Sequence, residues 1–452
     1  MKGVGFNCFR VLAAAVLVAA TSLATPLDDY VAKPDTNYAY HVAGVIDGSG
    51  YTAYNLSMVS QQWRCGSEVD RPLWRHWLTV IKPDEVSGST GLLWISNGVI
   101  GDGPPAVDEG FAKIAVESRT VVAIVKDVPN QPLRFKDETF PRSEDDIIAY
   151  TFDKYLNGGD AEWLLLLPMV KSVVRAMDTV NRHIDTVTSG AVSVEKFVLA
   201  GGSKRGWATW LAGAADPRVA AIAPAVIDVL RLDNQMKHHH GAYGFYSDAI
   251  APYEKMNIFD RLGSPKGKEL SAIVDPYSYI DRLNMPKLVI NGSGDQFFLP
   301  DSSRFYFHDL KGPKFLRYVP NADHGLDALG PLAAFYHTIL DSRPMPEFSW
   351  SISSDGDCIT VRTVTSPVEV KVWRAKNKSA RDFRLETIGS KWRSTSLEAN
   401  KNGEYVASVA MPAKGWTAFF VELVFDAGHG MTHVLTTDVS VVPNRLPHSQ
   451  ER

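Results

Sequence analysis

Two rhythms of apolar and polar residues divide the first part of the chain. Between Tyr51 and Pro83, the segments YTAYNLSMVSQQW and LWRHWLTVIKP alternate with a period of two, which predicts antiparallel strands. Short, continuous apolar runs follow, and such runs are typical of strands covered on both faces. These runs are GLLWIS at 91–96, TVVAIVKDV at 120–128, KFVLA at 196–200, VAAIAPAVI at 219–227, PKLVING at 286–292 and KFLRYVP at 314–320.

Segments with a helical period lie between most of these runs. They are DEGFAKIAVESR at 108–119, EDDIIAYTFDKYL at 144–156, AEWLLLLPMVKSVVRAMDTVNRHI at 161–184, WATWLAGAA at 207–215 and SSRFYFHDL at 302–310. Strand and helix therefore alternate along the chain. This alternation predicts an α/β fold with a mostly parallel, doubly wound sheet.

Two intervals depart from this alternation. Residues 228–283 separate two predicted sheet strands and are rich in Tyr, His, Met and Pro without a clear strand, which predicts an inserted cap. From residue 346 onward, short alternating strands such as VEVKVW and WTAFFVELVF replace the helical pattern and predict a C-terminal β-sandwich. The sequence thus predicts a first domain over 25–345, with the cap at 228–283, and a second domain over 346–452.

The N-terminus has the pattern of a secretory signal. Lys2 and Arg10 precede an apolar run, and small residues at 22–24 suit cleavage, so residues 1–24 are predicted to leave and the mature chain to start near Thr25. The alternative is a membrane anchor, but the apolar run is about ten residues long and a span needs about 20. We therefore expect a secreted, extracellular protein that does not insert into a membrane.

Charge and length narrow the class of protein. A chain of 452 residues is too long for one core of ordinary size, which supports two domains. The 47 Lys and Arg residues against 51 Asp and Glu residues give a net charge of −4, and neither sign forms a long run. Nucleic acid is therefore not an expected partner.

The compartment of the protein decides whether its cysteines form a disulfide and whether its Asn-x-Ser sequons carry glycans. Cys8 lies in the predicted signal, so Cys65 and Cys358 are left either to form one disulfide or to stay as two buried thiols. Three Asn-x-Ser sequons are expected to carry glycans only if the host glycosylates secreted proteins. They begin at Asn55, Asn291 and Asn377.

The stretch AGGSKRGW at 200–207 joins a predicted strand directly to a predicted helix. A serine at such a sharp turn presents its hydroxyl at the carboxyl edge of the sheet, and Gly201 and Gly202 supply the room. A helix that begins at Lys204 also directs backbone N–H groups toward an oxyanion formed beside Ser203. The alternative is a glycine turn with a helix-capping serine.

An acid and a base follow at the ends of later strands. KLVING is followed by SGDQFFLP with Asp295, and KFLRYVP by NADHG with His324. Because the carboxyl ends of neighbouring parallel strands lie together, we expect both side chains beside Ser203. His324 then accepts the serine proton and Asp295 orients the imidazole. The backbone N–H groups of Lys204 and Asn97 are the predicted oxyanion donors.

Several segments resemble a known family. GGSKRGW, VIDVLRLDNQMKHHHGAYGFYSDAI, PNQPLRF, NGSGDQFF and NADHG together are similar to the PhoPQ-activated pathogenicity-related family of the α/β-hydrolase superfamily, which includes autocrine proliferation repressor proteins. The resemblance spans nearly the whole mature chain and implies a secreted hydrolase fold, peptidase-like or esterase-like, without a defined substrate. One departure is that Arg205 stands where G-x-S-x-G has its second glycine, which arrives at Gly206, so the elbow is expected to differ slightly in shape.

Further residues near this site have two interpretations each. Arg205 and Lys204 are predicted to attract an acidic substrate or a C-terminal carboxylate, or else to pair with acidic side chains of the cap. In the cap, His239, Tyr243 and Tyr246 are predicted to line the cleft and bind substrate, or else to pack an irregular core. Three consecutive histidines cannot converge on one ion from a regular element, so we predict no metal, and no phosphate or dinucleotide motif indicates a cofactor.

These observations favour one function and leave a second open. The favoured function is a secreted serine hydrolase that cleaves a peptide or ester substrate through an acyl-enzyme intermediate. The alternative is an extracellular signalling or growth-repressor protein that keeps the scaffold and binds a cell-surface partner. In both, the C-terminal sandwich is expected to contribute packing or partner binding and no catalytic residue.

Overall fold

A computed structural model describes residues 24–449 and contains a central sheet of nine strands. Along the sheet the strands stand in the order β1-β2-β3-β5-β4-β6-β7-β8-β9. Their bounds are β1 Ala39–Gly48, β2 Tyr51–Gln62, β3 Leu73–Pro83, β4 Thr90–Ile95, β5 Val122–Val125, β6 Lys196–Gly202, β7 Val219–Ala225, β8 Lys287–Gly292 and β9 Lys314–Val319.

The six apolar runs form the parallel part of this sheet. Strands β4 to β9 pair in parallel, whereas β1, β2 and β3 pair antiparallel and β3 joins the parallel part through β5. The predicted α/β fold with a mostly parallel sheet is therefore confirmed. Sequence reasoning missed β1, because this edge strand has no buried residue and so lacks a clear apolar alternation.

Helices cover both faces of the sheet. The helices are α1 Pro26–Ala32, α2 Glu109–Ser118, α3 Asp145–Leu156, α4 Leu166–Val187, α5 Lys204–Ala215, α6 Leu232–Tyr243, α7 Ala251–Lys255, α8 Ile258–Arg261, α9 Pro265–Val274 and α10 Leu329–Leu340. On one face α4 packs against α1 and α5, and on the other α2 packs against α10. Helices α6 to α9 all lie in the interval between β7 and β8, where the sequence predicts a cap.

Two antiparallel sheets follow the nine-stranded sheet along the chain. They contain β10 Phe348–Ile352, β11 Cys358–Thr363, β12 Glu369–Asn377, β13 Arg393–Ser396, β14 Tyr405–Ser408, β15 Trp416–Gly428, β16 Met431–Thr436 and β17 Ser440–Val442, with helix α11 at Leu385–Ile388. One sheet has the order β10-β11-β14 and the other β13-β12-β15-β16, with β17 beside β15. Apolar side chains of both sheets share one cluster, so the predicted β-sandwich is confirmed.

One predicted helix is wrong. SSRFYFHDL folds as two short 3-10 helices, Ser302–Phe305 and Phe307–Asp309. Two of its polar side chains contact Asp438, which lies between β16 and β17: Ser303 Oγ donates to Asp438 at 2.6 Å, and His308 Nε2 lies 2.7 Å from the same carboxylate. A segment of nine residues has little helical stability of its own, so these tertiary contacts decide its conformation.

The structure also bears on the cysteines and the sequons. Cys65 and Cys358 are free thiols, of which Cys65 is exposed. Asn55 and Asn291 are buried and hydrogen-bonded, so neither accepts a glycan in the folded chain, while Asn377 is half-buried.

The predicted signal lies outside the described residues. Between residues 24 and 449, no helix is both long enough and apolar enough to span a bilayer.

Candidate active site

Ser203 occupies the strained turn between β6 and α5. Its φ of 57° and ψ of −132° form a sparsely populated conformation for a residue other than glycine, which is typical of functional turns. The glycine that this turn needs on its helical side is Gly206. A β-carbon there would lie 2.7 Å from Ile227 Cγ2 and 2.8 Å from Gly201 O. Gly206, which stands one position later than the second glycine of G-x-S-x-G, thus lies where α5 passes close to β6 and β7.

We expect Gly206→Ala to destabilise the protein by about 1–3 kcal/mol, because its methyl group would push into β-strand backbone that cannot yield. Gly202→Ala is the matched control: its β-carbon would meet only Val226 Cγ2, at 3.8 Å, an ordinary contact. Urea unfolding of both variants measures the difference. Equal midpoints for the two variants would contradict this role of Gly206.

The structure brings the predicted acid and base to Ser203. His324 Nε2 lies 2.8 Å from Ser203 Oγ, and His324 Nδ1 lies 2.8 Å from Asp295 Oδ2. A buried carboxylate accepts a hydrogen bond from the protonated Nδ1, which leaves Nε2 as the acceptor for the serine hydroxyl. The three side chains therefore form one chain of hydrogen bonds in the order that proton transfer from the serine requires.

The loop after β8 holds Asp295 in place. Its Oδ1 accepts the backbone N–H of Phe297 at 2.7 Å and that of Phe298 at 3.3 Å, which leaves Oδ2 for the histidine. The ring of Phe297 lies 4.0 Å from the imidazole of His324, centre to centre. Asp295 is 3% exposed and His324 is 15% exposed. The pair is thus shielded from water, while the imidazole edge stays open toward the serine.

Sequence reasoning missed a second buried acid, Asp228, just after β7. It accepts hydrogen bonds from the hydroxyl of Tyr306, from Asn291 Nδ2 at 3.0 Å and from the hydroxyl of Tyr318 at 3.3 Å. Burial raises the pKa of Asp228 to about 7, although the bonds from Tyr306 and Asn291 lower it. The acid that contacts the histidine is Asp295.

The two predicted oxyanion donors stand at neighbouring strand ends. Lys204 is the first residue of α5, so its N–H has no acceptor within the helix. In the register of β4 and β6, Ile95 pairs with Gly201. Asn97 and Ser203 therefore each follow this pair by two residues. That both N–H groups bind an oxyanion stays a prediction.

The side chains of Lys204 and Arg205 are neutralised by two acids at the start of α3. Arg205 NH1 and NH2 each lie 2.7 Å from an oxygen of Glu144, and its Nε donates to Val128 O. Lys204 Nζ lies 2.6 Å from Glu144 and 2.9 Å from Asp145. The pairing alternative is observed, with partners at the start of α3 instead of the cap, and that Arg205 binds substrate stays a prediction.

Glu144 is the centre of this network and was missed by sequence reasoning. It has a φ of 55°, and its backbone N–H donates to Gln131 Oε1 at 2.8 Å. Burial alone raises the pKa of Glu144, but hydrogen bonds from Arg205 and the charge of Lys204 hold it well below its usual range. Glu144 thus stays ionised and keeps the two cations beside Ser203 paired.

The three cap residues predicted to bind substrate pack against other residues of the cap and of the C-terminal region. His239 is 1% exposed, its Nε2 accepts the N–H of Ser247 at 3.1 Å, and its ring meets that of Tyr243 edge to face. Burial lowers the pKa of His239 to about 3, so it stays neutral. Tyr243 packs under Arg384 of the C-terminal region, and Tyr246 stacks at a tilt on His239. The packing alternative is observed for all three, and that any of them binds substrate stays a prediction.

An apolar cavity of about 40 Å³ lies beside Ser203. Its wall comes from α3, from α5, from the cap and from the loop of Asp295. Apolar or aromatic side chains make up most of it, among them Trp207, Met236, Tyr253, Phe259, Phe297 and Phe298. Sequence reasoning found the cap but not these residues, although the pair Phe297 and Phe298 directly after the acid was a usable signal.

The C-terminal region contacts both loops that carry the acid and the base. Leu385 N donates to Gly294 O at 2.9 Å, next to Asp295. Asn321, three residues before His324, accepts the N–H of Trp392 at 2.9 Å and donates to Trp392 O at 3.2 Å. The second domain thus supplies no member of the triad but touches the supports of two members.

Solved structures with a similar fold include two esterases and a peptidase. Acetyl xylan esterase 1 from Thermoanaerobacterium sp. has a TM-score of 0.48 at 16% identity, over 70% of this chain and 93% of that one. A glucuronoyl esterase from Solibacter usitatus has a TM-score of 0.43 at 13% identity, over 70% and 90%. An acylaminoacyl peptidase from Pyrococcus horikoshii has a TM-score of 0.39 at 12% identity, over 67% and 49%.

Sequence comparisons cover far more of the chain at higher identity. The family model described as PhoPQ-activated pathogenicity-related protein matches residues 27–384. Autocrine proliferation repressor protein A of Dictyostelium discoideum is 36% identical over 460 aligned positions, which cover 95% of this chain and 92% of that protein. The matched region contains Ser203, Asp295 and His324 together with Glu144.

Proposed function

The chain belongs to the PhoPQ-activated pathogenicity-related protein family, and within this family we propose that it is a serine hydrolase. One observation carries the proposal: the hydrogen bonds of 2.8 Å that join His324 to Ser203 on one side and to Asp295 on the other. A capping serine would not need a buried acid and base in this order.

The reaction follows from these contacts. Ser203 Oγ attacks the carbonyl carbon of the substrate and passes its proton to His324 Nε2, while the N–H groups of Lys204 and Asn97 stabilise the oxyanion. His324 then protonates the leaving group, and an acyl-enzyme remains on Ser203. Water, deprotonated by His324, attacks this ester and releases the acid and the free serine.

The charge balance of the site favours an uncharged acyl group. Lys204 and Arg205 contribute two positive charges, and Glu144 and Asp145 contribute two negative ones, so no unpaired cation faces the serine. An acidic substrate therefore has no partner among these four side chains. Within the hydrolase class, we propose a carboxylic ester with a neutral acyl part.

We also propose that the protein is secreted after removal of residues 1–24. Thr25 caps α1, since its Oγ1 accepts the N–H of Asp28 while its backbone N–H donates to the Asp28 carboxylate at 2.8 Å. A chain that begins at Thr25 retains this cap. N-terminal sequencing of the protein from the culture medium tests the proposal, and an intact Met1 would contradict it.

A fluorophosphonate probe tests the hydrolase directly. We expect the full-length mature protein to form an adduct that maps to Ser203, and Ser203→Ala to remain unlabelled. The same two proteins are then assayed on a panel of neutral esters and peptides. A folded protein whose Ser203 stays unlabelled, and which hydrolyses nothing on the panel, would sink the proposal.

The name of the Dictyostelium relative supports a second candidate function, an extracellular repressor of proliferation. The two candidates differ in what Ser203→Ala does to cells. If repression needs hydrolysis, wild type slows the growth of cells from the source organism and the variant does not. Equal repression by both forms, from a wild type without ester or peptide turnover, would replace the hydrolase by the signalling function.

A further inference from the structure

The cavity beside Ser203 offers no free polar group to an acyl chain. Asp145 and Lys204 line it, but they pair with each other at 2.9 Å. Tyr253 also lines it, and its hydroxyl donates to Asp145 at 2.8 Å. The indole N–H of Trp207 donates to Val274 O. With these groups satisfied, a hydroxylated or charged acyl chain would lose its hydration without gaining a partner.

The size of the cavity restricts the acyl chain as well. A volume of about 10–15 Å³ admits one water molecule. The cavity of about 40 Å³ exceeds this by only a small factor, which suits a short acyl chain. A longer chain requires the wall to move.

A much larger cavity, of about 540 Å³, lies on the other side of that wall. Met236 and Phe259 line both cavities, so these two cap side chains separate them. Met236 is 4% exposed, and the ring of Phe259 packs on Tyr246 with 4.5 Å between centres. Two packed side chains therefore separate the small cavity from the open space of the larger one.

We propose that the substrate is an ester of a short, unbranched fatty acid, from acetyl to about butyryl, and that Met236 and Phe259 set this upper limit. The inference rests on the proposed function, since the acyl group must reach Ser203. Overall, the ester and one water molecule give the carboxylic acid and the alcohol. Met236 and Phe259 act as specificity-determining residues and take no part in the proton transfers.

Esters of p-nitrophenol with acetate, butyrate and octanoate test the limit on the full-length mature protein. For wild type, we expect kcat/KM to be at least ten times higher for acetate than for octanoate. Met236→Ala and Phe259→Ala should each raise the octanoate-to-acetate ratio at least tenfold, since one methylene group in a pocket changes specificity by about 10–200-fold. Phe259→Leu, a milder change, should give an intermediate ratio if Phe259→Ala does not fold.

Phe305→Ala is the matched control, because Phe305 lines the larger cavity and does not line the smaller one. It should leave the ratio unchanged. A wild type that cleaves octanoate as fast as acetate, or a Phe305→Ala ratio that shifts as far as that of Phe259→Ala, overturns the inference alone while Ser203 remains labelled by the probe. Absence of both labelling and ester turnover overturns the proposed function together with the inference.

Discussion

Removing either Ser203 or His324 is expected to lower kcat on a neutral ester by about 10⁶-fold, to the level left by binding and the oxyanion donors alone. Ser203→Ala removes the nucleophile, and His324→Ala removes the group that accepts its proton at 2.8 Å. Asp295→Ala should lower kcat less, by about 10⁴-fold, because the histidine remains and only its orientation and charge stabilisation are lost.

The double variant makes this prediction specific to a triad. If the two residues act as one unit, Ser203→Ala with His324→Ala should be no slower than either single variant. His308→Ala is the matched control, since its Nε2 also lies 2.7 Å from a buried carboxylate, that of Asp438, but outside the site. Independent, multiplying losses in the double variant, or a similar loss in His308→Ala, would contradict the assignment of His324 as the base.

The convergence of Ser203, His324 and Asp295 was predictable because these residues follow strand ends. Continuous apolar runs identify buried parallel strands, and the right-handed crossovers of such a sheet bring their carboxyl ends together whatever the intervening sequence. Ser203, Asp295 and His324 each occur within a few residues of such an end. The loop geometry did not need to be known for their convergence to be expected.

The network around Glu144 was not predictable in the same way. Glu144, Asp145 and Asp146 precede an apolar helical pattern, and acidic residues there are typical of an ordinary first helical turn. Nothing local indicates that Glu144 reaches Arg205, from which 61 positions separate it. The sequence therefore suggests the cap, and not the start of α3, as the source of the acids that pair with the two cations.

The cap shows a related limit of sequence reasoning. Its aromatic residues were recognised, but their direction depends on how short helices pack, which no period of two or 3.6 encodes at these lengths. His239 and Tyr243 face inward, whereas Met236, on the same helix α6, faces the serine. The composition of residues 228–283 thus predicts a cap, but it does not identify which cap residues line the cavity.

Replacement of Asn321 is expected to have the second large effect on kcat. It lies in the loop between β9 and His324, and its side chain is the link to the backbone of Trp392 in the C-terminal region. Its φ of 58° lies in the left-handed region, which asparagine tolerates better than alanine. Asn321→Ala therefore loses both hydrogen bonds and the local conformational preference of the loop that carries the base.

We expect Asn321→Ala to lower kcat about 100-fold with little change in KM, because a displacement of about 1 Å in a catalytic group costs that much while substrate binding is retained. Asn321→Gly relieves the backbone but restores neither hydrogen bond, so it should remain slow. Asn321→Asp keeps the acceptor for Trp392 N–H and should recover part of the rate.

Asn377→Ala is the control, since Asn377 makes similar bonds to Ser379, Ala380 and Asp382 within the C-terminal region. Full activity in Asn321→Ala, or an equal loss in Asn377→Ala, would mean that the second domain stabilises the fold without positioning His324.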